Sequence, residues 1–126
     1  MKKNKILLLI AFLGLTIASC DYAFVVPEEV PDIPSTEDVS FATQVLPTFT
    51  AQCASCHKPG GKAPDLTAEN AYQSINTAKY INQDSPESSL IYSYVAPDAS
   101  THSWKHLSAA QAQYLLVWIE QGAKNN

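Results

Sequence analysis

Within five residues, Cys53-Ala54-Ser55-Cys56-His57, the chain carries two thiols and an imidazole. No other stretch constrains it as tightly. Gly60, Gly61 and the prolines 59 and 64 follow at once, so the backbone turns soon after the histidine instead of continuing as helix. Four chemistries use such a cysteine pair: covalent haem attachment, a redox dithiol, half of a zinc site, and a structural disulfide. Each makes a different demand on the rest of the chain.

The first demand concerns compartment. Lys2, Lys3 and Lys5 form a basic start, and residues 6–18 are an apolar run of 13 residues. That run is shorter than the roughly 20 residues a membrane-spanning helix needs, and it has the length of a signal-peptide core. It ends in Ile17-Ala18-Ser19-Cys20, which resembles the lipobox of bacterial lipoproteins. The resemblance implies that residues 1–19 are removed and that Cys20 is lipidated. The alternatives are an ordinary cleaved signal and an uncleaved anchor, for which the run is short. The chain is thus expected to be exported and lipid-anchored to a bacterial membrane, facing the periplasm or the cell surface.

Removing the signal changes the electrostatics. Three of the eight basic residues go with it and all twelve acids remain, a formal charge of 5 − 12 = −7. There is no arginine, and no basic footprint for nucleic acid. An acidic surface favours basic protein partners instead. Residues 20–38 hold six of the twelve acids together with Pro27, Pro31 and Pro34, which reads as an extended tether between lipid and domain. Tyr22 to Val26 is too apolar for a pure spacer and is expected to pack on the domain or a partner.

Residues 39–126 form one small domain, marginal in core size on its own. A first helix is expected over 40–52, with Pro47 either bending it or delaying its start. A second is expected after Thr67. A third opens with Ser85 as N-cap and Pro86 in the first turn. The last has the clearest signals: Ser108 with Gln111 as a capping box, an apolar face of Leu115, Trp118 and Ile119, and Gly122 as its stop. No alternating pattern supports a sheet. The fold class is all-α, about four helices with long connections, including a polar loop over 96–107.

This context separates the readings of Cys53 and Cys56. A redox dithiol sits at the start of a helix in an α/β fold, whereas here the pair ends a helix and no strand precedes it. A zinc site could recruit His102 and His106, but the 45 residues between Cys56 and His102 far exceed the roughly 12–15 of a compact finger. A Cys53–Cys56 disulfide closes a tiny loop, stabilises little, and leaves His57 unexplained. Haem attachment uses every residue: two thiols bond the porphyrin and the adjacent histidine binds iron.

A helix ending in Cys53-Ala54-Ser55-Cys56-His57, the following residues 58–66, and a final helix over 107–123 together resemble a small class I cytochrome c domain of the monohaem bacterial lipoprotein type. The resemblance implies a bundle around one covalent haem c. Cys53 and Cys56 would be its thioethers and His57 its proximal iron ligand. Gly60 and Gly61 would turn the backbone away from the haem, the Pro64 carbonyl would accept the proximal imidazole N–H, and Trp118 would pack on the haem. It also implies a distal ligand about six residues before the serine that opens the last helix.

The usual distal methionine is missing, since Met1 is the only methionine and leaves with the signal. His102 lies six residues before Ser108 and is the expected distal ligand. His106, two residues before it, is the second choice; otherwise it is an exposed histidine near a helix N-terminus. Lys105 is a further option. No paired carboxylates suggest acid–base catalysis. The expectation is a membrane-tethered single-electron carrier serving larger redox proteins, not an enzyme, with no small-molecule substrate. Alternatives are a five-coordinate haem sensor and a haem-free zinc or disulfide lipoprotein.

Overall fold

The computed structural model describes residue 26 and residues 28–126. The expected signal, Cys20 and the apolar start of the tether up to Phe24 and Val25 lie outside the described residues. Val26 itself is exposed.

Among the described residues all regular structure is helical, and no helix is long and apolar enough to cross a membrane. A π-helical turn, Phe41–Val45, runs directly into α1, Leu46–Gln52. Pro47 accounts for the change of winding. It has no N–H for a carbonyl on the preceding turn, so an α-register cannot pass through it unbroken. The π-turn accommodates the break: Leu46 N–H donates to Phe41 O, five residues back, and Pro47 falls in the first turn of α1.

The next elements are shorter than expected. α2 is only Ala71–Ile75. The residues before it are held by Asp65, whose carboxylate accepts from Thr67 N–H at 3.0 Å, Thr67 Oγ1 at 2.6 Å and Asn70 Nδ2 at 2.9 Å. The third helix is broken into a 3-10 turn, Pro86–Ser88, and α3, Leu90–Ser93. Ser85 makes no side-chain cap. The break falls at Ser89, which is extended at ψ 128° and buried. Its hydroxyl accepts from Asn82 N–H at 2.9 Å and donates to Asn82 O at 3.3 Å, a tertiary pairing that overrides helix continuation.

α4, Ala109–Glu120, starts and stops as its residues dictate. Ser108 Oγ accepts from Gln111 N–H and Gln111 Oε1 accepts from Ser108 N–H at 3.0 Å. At the other end Gly122 adopts φ +96°, and its N–H and that of Ala123 return to the Ile119 and Trp118 carbonyls.

The first helical segment and α4 hold the core. Phe41 lies 5.2 Å from the Trp118 ring and 5.3 Å from Tyr72, edge-on to the latter. Val45, Phe49, Leu66, Ile75, Leu115 and Ile119 complete the same buried cluster. Trp118 is 1 % exposed and donates its indole N–H to Lys124 O at 2.8 Å. Truncating a ring so enclosed costs about 3–5 kcal/mol.

Polar side chains near the C-terminus lock this pair. Gln121 Oε1 accepts Val39 N–H at 2.7 Å, and Asn126 Oδ1 accepts Phe41 N–H at 2.8 Å. The Asn126 carbonyl accepts Ala42 N–H at 3.0 Å. These bonds satisfy amides that the start of a helix leaves without partners. The tether is not fully detached from the domain: Ile33 packs on the core, and Glu28 accepts a hydrogen bond from the Ser108 hydroxyl at 2.8 Å.

Candidate metal centre

α1 ends at Gln52, and the chain winds on through a further turn. Cys53 N–H donates to Phe49 O, and the Cys53 carbonyl then accepts from both Cys56 N–H at 3.1 Å and His57 N–H at 2.9 Å. This spacing of three and four residues brings Cys53, Cys56 and His57 to one side. Both thiols are free, Cys53 half-buried and Cys56 exposed. Burial pushes the Cys53 thiol up, with the Lys105 ammonium opposing.

The loop after His57 folds back beneath it. Gly61 N–H donates to Lys58 O at 2.8 Å and Lys62 N–H to Cys56 O at 3.0 Å. A Cβ at residue 61 would stand 2.3 Å from the Cys56 carbonyl oxygen, so only glycine fits this close approach. Gly60 is needed for a different reason, its φ of +76°. The turn returns the buried Pro64 to the histidine, and Leu66 N–H donates to His57 O at 2.8 Å. His57 Nδ1 lies 3.1 Å from the Pro64 carbonyl oxygen. A carbonyl can only accept, so in the neutral ring Nδ1 carries the proton and Nε2 keeps its lone pair.

His102 comes from the loop before α4, 45 residues beyond His57, and its ring centroid lies 6.2 Å from that of His57 with 30° between the planes. Its Nδ1 is 3.0 Å from the Lys105 carbonyl oxygen. The same argument leaves Nε2 as its open nitrogen. The two neighbouring imidazoles therefore share one tautomer. His106 has the other: its Nε2 lies 3.1 Å from Thr101 O. His102 has φ +54°, an uncommon conformation for a residue with a Cβ. Its ring stacks on Trp104 at 4.4 Å, and Trp104 is 77 % exposed.

The other expected site residues fall elsewhere. Trp118 is buried in the helix-packing core beside Phe41 and Tyr72. Among the described residues, no group of three or more His, Cys, Asp or Glu side chains is gathered to hold a metal ion, so Cys53, Cys56, His102 and His106 do not form a four-donor zinc cluster. A groove of about 610 Å³ bordered by Glu87, Tyr92, Tyr94 and Asp98 reaches the loop at Thr101, but neither cysteine nor His57 nor His102 lines it. Sequence reasoning overlooked the Lys105 and Thr101 carbonyls that orient His102 and His106. Backbone carbonyls carry no residue-type signal, so only the fold could reveal them.

Comparison with protein-family models, with curated proteins and with solved structures finds no match.

Proposed function

We propose that the chain is a monohaem c-type cytochrome that carries single electrons, with His57 and His102 as its two axial ligands. The disposition of those two rings carries the reading. Two metal–imidazole bonds of about 2.0–2.1 Å, plus about 1.1 Å from nitrogen to ring centre on each side, predict centroids about 6.3 Å apart. The rings lie at 6.2 Å. An edge contact between aromatic rings tolerates the same distance. It does not call for both Nδ1 atoms to be committed to carbonyls, which is how ligating histidines are oriented.

Each residue then has a task. Cys53, one turn before His57, and Cys56, next to it, would bond the porphyrin covalently. The Pro64 carbonyl sets the His57 tautomer and raises its basicity, and the Lys105 carbonyl does the same for His102. A haem so held supplies reversible one-electron exchange at its iron, at a lower potential than histidine–methionine ligation gives. Two protein ligands leave no position for a substrate, which favours a carrier over an enzyme. The acidic chain suits basic redox partners. Lipidation at Cys20 would confine these exchanges to a bacterial membrane surface, and this part of the proposal rests on residues 1–20 alone.

An optical spectrum tests the reading. The signal-less protein, made in a host that matures c-type haem, is recorded oxidised, reduced, and reduced with CO. Sharp low-spin bands that ignore CO at first are expected, and His102→Ala should convert the iron to high spin. Immediate CO binding by the wild type would replace the carrier with a five-coordinate sensor. Absence of a haem band would return Cys53 and Cys56 to other chemistry.

A further inference from the structure

The loop that bears His102 is closed at three levels. At its base, Thr101 Oγ1 donates to Tyr94 O at 2.9 Å and Leu107 N–H to Val95 O at 2.7 Å. Both limbs therefore hang from consecutive carbonyls just beyond α3. At its tip, Lys105 N–H donates to His102 O at 2.9 Å, and His102 Nδ1–H donates back to Lys105 O at 3.0 Å. Between base and tip, His106 Nε2–H donates to Thr101 O at 3.1 Å. This middle bond joins the residue just before the tip turn to the residue just after it.

Its position matters because of the backbone it encloses. His102 at φ +54° holds a conformation that a residue with a Cβ readily leaves unless the surroundings over-determine it. The Trp104 ring is too exposed to impose it alone. With the middle bond in place, the four-residue tip has fixed ends. Without it, the hydrogen bonds that hold residues 102–105 are their own two internal ones and those of the base.

We infer that His106 is a positioning residue: its ring bond to the Thr101 carbonyl holds the tip turn shut and keeps the His102 imidazole opposite His57. The inference rests on the axial-ligand reading, since that is what the placement of His102 serves. It also gives the third histidine a task other than competing for the same position. The Nε2 of His106 is spent on the clasp, while the Nε2 of His102 is kept open.

The test uses the haem-loaded protein and two readouts. Removing one neutral hydrogen bond at a partly exposed site shifts the ratio of open to closed loop by about fivefold. His106→Ala should therefore raise the rate of CO binding to the reduced protein, which waits on departure of His102, by about fivefold. Amide hydrogen exchange at Lys105, whose N–H closes the tip, should speed up by a similar factor. His106→Gln, whose amide can reach the same carbonyl, should restore both. Should His106→Ala not accumulate, His106→Asn, too short to span the contact, takes its place with the same expectations. Wild-type CO rates and Lys105 exchange in these shortened variants would overturn the inference and leave ligation by His102 standing. A glutamine variant that behaves like alanine would overturn it too. If His102→Ala leaves the low-spin spectrum unchanged, the ligand reading fails, and the inference with it.

Discussion

Gly60 and Gly61 are adjacent and chemically identical, yet their replacement by alanine should have unequal costs. At Gly60 the added Cβ meets nothing within 4 Å, so the only penalty is φ +76°. For a residue with a Cβ that conformation costs about 1–2 kcal/mol, offset by about 0.4–1 kcal/mol from the stiffer unfolded chain. The net loss is centred on about 1 kcal/mol. At Gly61 the Cβ would lie 2.3 Å from Cys56 O and 3.1 Å from Lys58 O, both backbone atoms. Neither can rotate aside, so the turn itself must move. Overpacking of this kind costs about 1–3 kcal/mol. Moving the Cys56 carbonyl also endangers its bond from Lys62 N–H, for about 1 kcal/mol more. The total is about 2–4 kcal/mol for Gly61→Ala. For a domain of this size 1 kcal/mol moves the thermal midpoint by about 4–8 °C, so Gly61→Ala should lower it by about 8–32 °C and Gly60→Ala by about 4–8 °C. Far-UV circular dichroism on heating measures both. Equal shifts, or a larger shift for Gly60→Ala, would refute the view that close approach to Cys56 governs this turn. The proposed haem ligation gives a second readout: the displaced turn carries the Pro64 carbonyl that holds His57 Nδ1, so under that proposal Gly61→Ala should also broaden the low-spin spectrum.

Two further outcomes follow from particular contacts. Ser108→Ala removes the acceptor for Gln111 N–H and the donor to Glu28, and should lower the urea-unfolding free energy by about 1 kcal/mol, whereas Ser108→Asn, whose amide oxygen can accept and whose NH2 can donate, should keep most of it. Hydrogen bonds from Thr67 and then Asn70 hold the Asp65 carboxyl below its ordinary value of 3.8. A depressed folded-state pKa contributes stability that is present above the unfolded value and lost as pH falls through the folded one. The stability difference between wild type and Asp65→Asn should therefore be full near neutral pH, begin to shrink below about pH 4, and vanish in stronger acid. A difference that is constant from pH 7 to pH 2.5 would show that the charge plays no part.

The parts of this protein that could be read from sequence are those closed by short-range bonds. Ser108, Gln111 and Gly122 delimit α4 because their partners lie within five residues of them, whatever the remainder of the chain does. The same holds for the turn that gathers Cys53, Cys56 and His57, and for the need of a glycine after it. Pro47 announced a disturbance, though not that a π-turn would absorb it. Elements governed by distant partners could not be read this way. Ser85 has the residue type of an N-cap, but the helix breaks at Ser89 because Asn82 takes its hydroxyl. Trp118 lies on the expected apolar face, yet which neighbours seal it depends on how Phe41 and Tyr72 arrive. The family resemblance nominated His102, six residues before Ser108, without saying what its ring would meet. Only the tertiary structure set His57 and His102 6.2 Å apart and gave His102 and His106 opposite tautomers. The physical reason is that residue type determines which groups can donate, accept or ligate. Which of them meet across 45 residues is decided by core packing and by backbone carbonyls, and those carbonyls are the same in every amino acid.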